Sequence, residues 1–349
     1  MNNKYFKVII VILFFMLAVG LALLGLRTPR PLPSSAARDV FSAERALEHV
    51  KAMAREPHPT GSKANDEVRE YIVNELESLG LTPKIQTRHV TGKNYTGLVK
   101  NVIVVLPGRE ADSKDKLAIV SHYDSVESGP GASDDGAAVA AMLETLRVFK
   151  NLPQLKNDIV FLFTDGEELG LLGAEQFVNA NPLAKDIAFL LNFEARGTAG
   201  PSLMFETSSD NGKLIKEFAS TVPYPNATSL TYEIYKRMPN DTDFTVFKNE
   251  GIPGMNFAFI FEGYNYHTAD DNLDNLKLGT IQHHGSYALA LLKHFGDIDL
   301  KQVELKTENR VYFDIMGKFL IHYPVSWVIP FLIITALLFV FFVIYNTKK

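Results

Sequence analysis

The stretch SHYDSVESGPGASDDGAAVAAMLETL, Ser121 to Leu146, decides how this chain is read. It follows KLAIV (116–120), an apolar run of the kind that forms a buried strand, and stops that run with His122 and Asp124. It then crosses a loop rich in Gly and Ser and enters a helical pattern through two adjacent carboxylates, Asp134 and Asp135. A buried strand has no need of an imidazole at its end, and one capping acid is enough to start a helix. Polar groups set at such a junction are candidates for holding something between them.

The same grammar recurs on either side. The apolar runs NVIVVL, KLAIVS, DIVFLFT, IAFLLNF, SLMFET and MNFAFIF alternate with the helical patterns GAAVAAMLETLRVF, LLGAEQFVN, NGKLIKEFAST and LGTIQHHGSYALALLKHF. Two amphipathic helices, SAERALEHVKAMA and ANDEVREYIVNELESLG, come first, with Ser42 as N-cap and Gly80 as C-terminal stop. Strands apolar on both faces and spaced by helices predict an α/β chain: a three-layer α/β/α domain with a mostly parallel central sheet. In such sheets ligands bind beyond the carboxyl ends of the strands. The polar residues at those ends are His122, Asp124, Glu167, Glu168, Glu194 and His267.

Each of these has an ordinary explanation when taken alone. His122 and Asp124 form a polar rim, Asp134 and Asp135 cap a helix, and DGEELG is an acidic first turn that suits the helix dipole. Glu194 is harder to dismiss, because an unpaired buried carboxylate is costly. Together they are two imidazoles and four or five carboxylates at one sheet edge, with no basic cluster in these motifs to neutralise them. Converging carboxylates repel unless cations sit among them. A divalent pair resolves the conflict, and mixed nitrogen and oxygen donors suit zinc.

PHPTGS (57–62), SHYDS, GASDDGAA, TDGEELGLLGA, LNFEARG, NDTDF and YHTADD occur in an order that resembles metallopeptidase family twenty-eight, the di-zinc aminopeptidase family. The likeness covers about residues 40–296 and is greatest to the membrane-anchored branch related to endoplasmic-reticulum and vacuolar-membrane metallopeptidases. The resemblance implies a zinc-exopeptidase fold and two Zn2+ ions. His122 and Glu194 would hold one, Glu168 and His267 the other, and Asp134 would bridge them. It further implies Glu167 as general base, Asp124 as the acceptor fixing the His122 tautomer, Tyr266 as steadier of the oxyanion, and a cis peptide between Asp134 and Asp135. Two positions depart from the family pattern: Glu194 stands where secreted members usually carry Asp, and Asn240-Asp241-Thr242 replaces a common Ser-Asp-His.

Composition narrows the rest. With 349 residues, net charge −5 and no basic stripe, the chain is not expected to bind nucleic acid. The absence of cysteine excludes disulfides, zinc thiolates and cysteine catalysis. Val8 to Leu26 is an uncharged apolar run preceded by Lys4 and Lys7, and Val325 to Tyr345 is a second with no polar face. The expected organisation is therefore a cytoplasmic N-terminus (1–7), a transmembrane signal anchor (8–26), a Pro/Ser linker (27–40) and a di-zinc peptidase domain (41–296). A connector (297–324), a second transmembrane helix (325–345) and a cytoplasmic tail (346–349) follow. A cleaved signal peptide is the alternative for the first run. The peptidase domain is expected outside the cytoplasm, periplasmic in a bacterium or lumenal in a eukaryote.

The activity expected is that of an aminopeptidase acting on peptides. A carboxypeptidase remains open because Arg196 lies two residues after Glu194. A glutaminyl cyclotransferase and an inactive binding module on the same fold are the other readings. Side-chain preference and oligomeric state are not legible.

Overall fold

The computed structural model describes residues 3–91, 95–110, 115–300 and 307–347. Met1, Asn2, Lys348 and Lys349, which belong to the expected cytoplasmic ends, lie outside the described residues.

After helix α1 (Asn3–Gly25) come α2 (Ala43–Met53), α3 (Lys63–Ser78), β1 (Lys84–Thr91), β2 (Thr96–Leu106) and β3 (Lys116–His122). Then follow α4 (Gly136–Phe149), β4 (Ile159–Thr164), α5 (Leu172–Ala180), β5 (Ile187–Ala195), β6 (Leu203–Thr207), α6 (Gly212–Thr221), α7 (Ser229–Tyr235) and α8 (Asp243–Asn249). The chain ends with β7 (Gly254–Phe259), α9 (Leu278–Asp297), β8 (Arg310–Ile315), β9 (Phe319–Pro324) and α10 (Val328–Thr347).

A seven-stranded sheet in the order β1-β2-β4-β3-β5-β7-β6 forms the middle layer. Its four central strands, β4, β3, β5 and β7, are parallel. Alternate residues of these strands feed different cores. In β4, Ile159, Phe161 and Phe163 join the core under α2, α4 and α9, while Val160 and Leu162 join the one under α5 and α8. Every residue of α4 but Arg147 is buried, as its Ala-rich sequence allows for a helix enclosed on all sides. Ser42 Oγ accepts the Arg45 N–H and caps α2, and Gly80, at φ +71°, supplies the left-handed residue after α3.

The sheet is parallel only at its centre. β1, β2 and β6 run antiparallel to their neighbours, within the mostly parallel sheet expected. A run apolar on both faces reports burial and carries no information on direction. β1 leaves no apolar pattern in the sequence because most of its residues are exposed at the sheet edge.

Residues 297–324, expected as a connector, contain the β8–β9 hairpin, whose Tyr312 is buried against the domain. The linker is likewise fastened: Arg45 donates to the carbonyls of Ser34, Ala36, Ala37 and Val40 and, through Nε, to Glu144 at 2.9 Å. Tyr5–Gly25 and Val325–Thr347 are long and apolar enough to cross a membrane, and none of either stretch is buried in the protein.

Candidate metal centre

β3 lies between β4 and β5, and the helices that follow β3 and β4, α4 and α5, pack on opposite faces of the sheet, which opens a crevice at the carboxyl ends of these strands. β3 ends in His122, the loop after β4 carries Glu167 and Glu168, and β5 carries Glu194 as its next-to-last residue. The loop entering α4 supplies Asp134, and the segment after β7 supplies Tyr266 and His267. The loop before α4 turns at Gly131 (φ +62°), where a Cβ would come within 2.6 Å of the Asp134 carbonyl oxygen. The Asp134–Asp135 peptide is cis. His267 sits in the left-handed region at φ +58°, a position tolerated by His better than by most residues.

Asp134 is the hub. Its Oδ1 lies 3.2 Å from Nε2 of His122, and its Oδ2 lies 3.1 Å from Nε2 of His267. Glu194 Oε2 is 3.5 Å from the same His122 nitrogen, and Glu168 Oε1 is 3.1 Å from the same His267 nitrogen. Close as they are, Asp134 Oδ2, Glu168 Oε1 and His267 Nε2 are buried atoms with no hydrogen-bond partner. Donor atoms that crowd together without bonding one another fit a set that shares a cation, and the oxygen and nitrogen types fit zinc. Asp135 also lies near His122 and Glu194, but Ser121 donates to its Oδ2 at 2.5 Å.

The surrounding groups hold these side chains in place. Asp124 accepts the backbone N–H groups of both Glu167 and Glu168 at 3.2 Å, and the Thr60 hydroxyl at 3.1 Å. His122 Nδ1 is 3.0 Å from the Asp124 carbonyl oxygen and 3.5 Å from its carboxylate, so the main chain of Asp124 is the nearer acceptor. Asn192 Nδ2 donates to Glu194 at 3.2 Å. The Tyr266 ring stacks on His267 at 3.7 Å, with the Arg196 guanidinium 5.3 Å from its centroid. Asn240, at one of the departures from the family pattern, sets its side-chain amide against Arg196, and with the amide oxygen assigned to that side it accepts from the guanidinium at 2.7 and 3.1 Å.

Among the chain's own groups, charges are interleaved. Burial opposes ionisation of Asp134, but His122 and His267 hold its carboxyl at about 2. Burial, followed by the Asp134 charge, raises Glu168 to about 7. Burial lowers His267, and the Asp134 and Glu168 carboxylates outweigh it and raise the imidazole to about 9. Glu167 is pushed well above the usual carboxylate range, chiefly by burial.

Asp271 lies within YHTADD. It is 3% exposed, and it accepts the backbone N–H of Ser133 at 2.7 Å and of Asp134 at 3.0 Å. Asp165 and Asp243 are further buried carboxylates near the crevice, both raised to about 7 by burial. An acid directly after a strand was the signal available for Asp165 and an acid opening a helix that for Asp243, while Asp271 lies in the loop between β7 and α9 and carries neither.

Residues 101–292, more than half of the chain, match peptidase family M28. Endoplasmic reticulum metallopeptidase 1 of Mus musculus is 32% identical over 95% of this chain and 40% of its own length. The chain thus spans well under half of the curated relatives it matches first. Among solved structures, an aminopeptidase from Aneurinibacillus sp. strain AM-1 superposes with a TM-score of 0.61 at 15% identity, over 77% of this chain and 98% of the other. A glutaminyl cyclase of Porphyromonas gingivalis does so with a TM-score of 0.59 at 19% identity, over 73% and 98%. At these identities the two structures share the α/β fold and do not decide between chemistries.

Proposed function

This chain belongs to peptidase family M28, and from that premise we propose that it is a membrane-anchored zinc exopeptidase, specifically an aminopeptidase that removes N-terminal residues from peptides. The observation that carries the proposal is the Asp134 carboxylate held between the imidazoles of His122 and His267, with buried donor atoms left without hydrogen bonds. Two zinc ions would be held by His122 and Glu194 on one side and by Glu168 and His267 on the other, with Asp134 shared. Zinc there would acidify the attacking water and polarise the scissile carbonyl.

The chain's own groups do the rest. Glu167, beside a ligand and half-buried, is the base that takes the water's proton and delivers it to the leaving amine. Burial raises the Tyr266 hydroxyl above its ordinary range, so it keeps its proton and can donate to the carbonyl oxygen as charge develops there. Asp124 fixes the loop of Glu167 and Glu168 by accepting both of their N–H groups. α1 and α10 anchor the domain in the bilayer, their length and exposed apolar surface being what supports that role.

A carboxypeptidase is the second reading. Arg196 is half-buried beside Tyr266, and among the described residues no carboxylate pairs with it, so a substrate carboxylate would suit it. The test is zinc content of the purified chain together with a substrate panel. Two zinc ions and hydrolysis of peptides with a free N-terminus are expected. C-terminal cleavage of N-blocked peptides would make it a carboxypeptidase. One ion with cyclisation of N-terminal glutamine would make it a cyclotransferase, and metal without turnover a binding module.

A further inference from the structure

A hairpin that lays one face on a protein core normally turns polar residues outward. β8 and β9 do the opposite. Their register sets Val311 opposite Tyr323, Phe313 opposite Ile321 and Ile315 opposite Phe319 on one face, with Tyr312 opposite His322 and Asp314 opposite Leu320 on the other. The face with the polar members is the one against the domain, where Tyr312 is 1% exposed and Leu320 packs on the core. The wholly apolar face points away, with Phe313 40%, Ile315 43%, Phe319 67% and Ile321 41% exposed.

The neighbours of that face indicate what covers it. α10 begins within four residues of the end of β9. The Tyr323 ring packs on Phe331 at 5.2 Å, and Trp327 packs on the same ring at 5.6 Å. Phe331 is three residues beyond Val328, roughly 4.5 Å along the apolar helix at about 1.5 Å per residue. At its tip the hairpin meets the other apolar helix, where a Cβ on Gly25 would lie 3.3 Å from the Met316 backbone. The hairpin therefore joins the domain-side ends of α1 and α10, and its apolar face is continuous with theirs. Ile260 and Phe261, on the segment running from β7 to His267, share a cavity with Leu21, Ala22 and Leu26.

We propose that the outward face of β8–β9 is a lipid seat, lying at the boundary between headgroups and acyl chains of the bilayer crossed by α1 and α10. The domain is then docked on the membrane surface instead of hanging from two tethers. This rests on the reading of α1 and α10 as membrane spans.

The chain has no cysteine, so single cysteines at Phe319→Cys and Ile321→Cys can be labelled uniquely with an environment-sensitive fluorophore in the full chain, reconstituted in phosphatidylcholine vesicles. Lys150→Cys, exposed at the far end of α4, serves as control. Retention of the parent's circular dichroism shows that each variant folds. Labels at 319 and 321 should emit as in an apolar medium and be quenched several-fold by lipids spin-labelled near the top of the acyl chain, while the control is unaffected. Water-like, unquenched emission at 319 and 321 in vesicle-bound chain overturns the seat and leaves the spans standing. Apolar emission without lipid quenching also overturns it, since protein, a second copy included, then covers the face. Chain that does not float with the vesicles overturns the span reading and the seat with it.

Discussion

Asp271 grips the main chain at Asp134, accepting its N–H at 3.0 Å through one carboxylate oxygen and that of Ser133 at 2.7 Å through the other. Residues far apart in sequence are thereby locked together beneath the hub of the centre. Asp271→Ala would strand two buried N–H groups and release the loop that aims the Asp134 side chain. Groups that orient metal ligands typically contribute about 10–100-fold to affinity. Zinc affinity, measured by competition with a chelator, should fall by that order, and Asp271→Asn, which keeps one acceptor oxygen, should lose less. Unaltered affinity in Asp271→Ala would take this residue out of the site.

Asp134 itself should be the most damaging ligand to lose, because among the described residues it alone lies within 3.2 Å of both imidazoles. If the centre holds the two zinc ions proposed, Asp134→Ala is expected to deplete both, whereas Glu194→Ala and Glu168→Ala each deplete mainly one. Elemental analysis per mole of chain reads this directly. Equal depletion by all three changes would contradict a shared position for Asp134.

Glu167→Gln keeps the size of the side chain and the backbone N–H that Asp124 accepts, and removes the ability to take a proton. Zinc content should be unchanged while kcat falls by roughly 10²–10⁴, the usual span for a general base. Loss of metal in this variant would recast Glu167 as a ligand, and full activity would exclude it from the mechanism.

The parts of this fold legible in the sequence were those where burial leaves a pattern. The four central strands are apolar on both faces, and the polar residues that end them could be collected because strand ends share an edge. Strand direction left no such trace, so β2 and β6 were placed in the sheet without their antiparallel sense. β1 is an exposed edge strand, and β8–β9 show apolar residues outward, which inverts the usual alternation. Asp271 escaped because its role is to accept from a backbone far away in sequence, a relation that side-chain spacing does not record.

The chain before α2 should be held by charge buried in the core. Glu144 is fully buried on α4, and its carboxylate accepts from Arg45 at 2.9 Å, from Arg147 at 2.6 and 2.9 Å, and from the Ser42 N–H at 3.1 Å. Removing one partner of a buried pair typically costs about 3–5 kcal/mol. Arg147 remains in Arg45→Ala, so destabilisation by about 3 kcal/mol, at the low end of that range, is expected. Residues 34–40 should become sensitive to limited proteolysis, since Arg45 also binds four of their carbonyls. Denaturant unfolding in detergent together with mapping of the cleavage sites checks both outcomes.

Charge and the two proposed spans predict an orientation. Lys4 and Lys7 precede the centre of the first apolar run and Lys348 and Lys349 follow the second, so the positive-inside rule sets both flanks in the cytoplasm. Arg27, Arg30 and Arg38 oppose this, but they lead into a large folded domain, and such domains are translocated largely regardless of charge. Two spans also require both flanks to share a side. The peptidase domain is therefore expected on the extracytoplasmic or lumenal side. Protease added outside intact cells or sealed vesicles of matching orientation should digest the domain and spare a tag placed after Lys349. Digestion of the tag with survival of the domain would establish the inverted arrangement. A mature N-terminus near Ser34 would show instead that the first run is a cleaved signal, leaving α10 as the anchor.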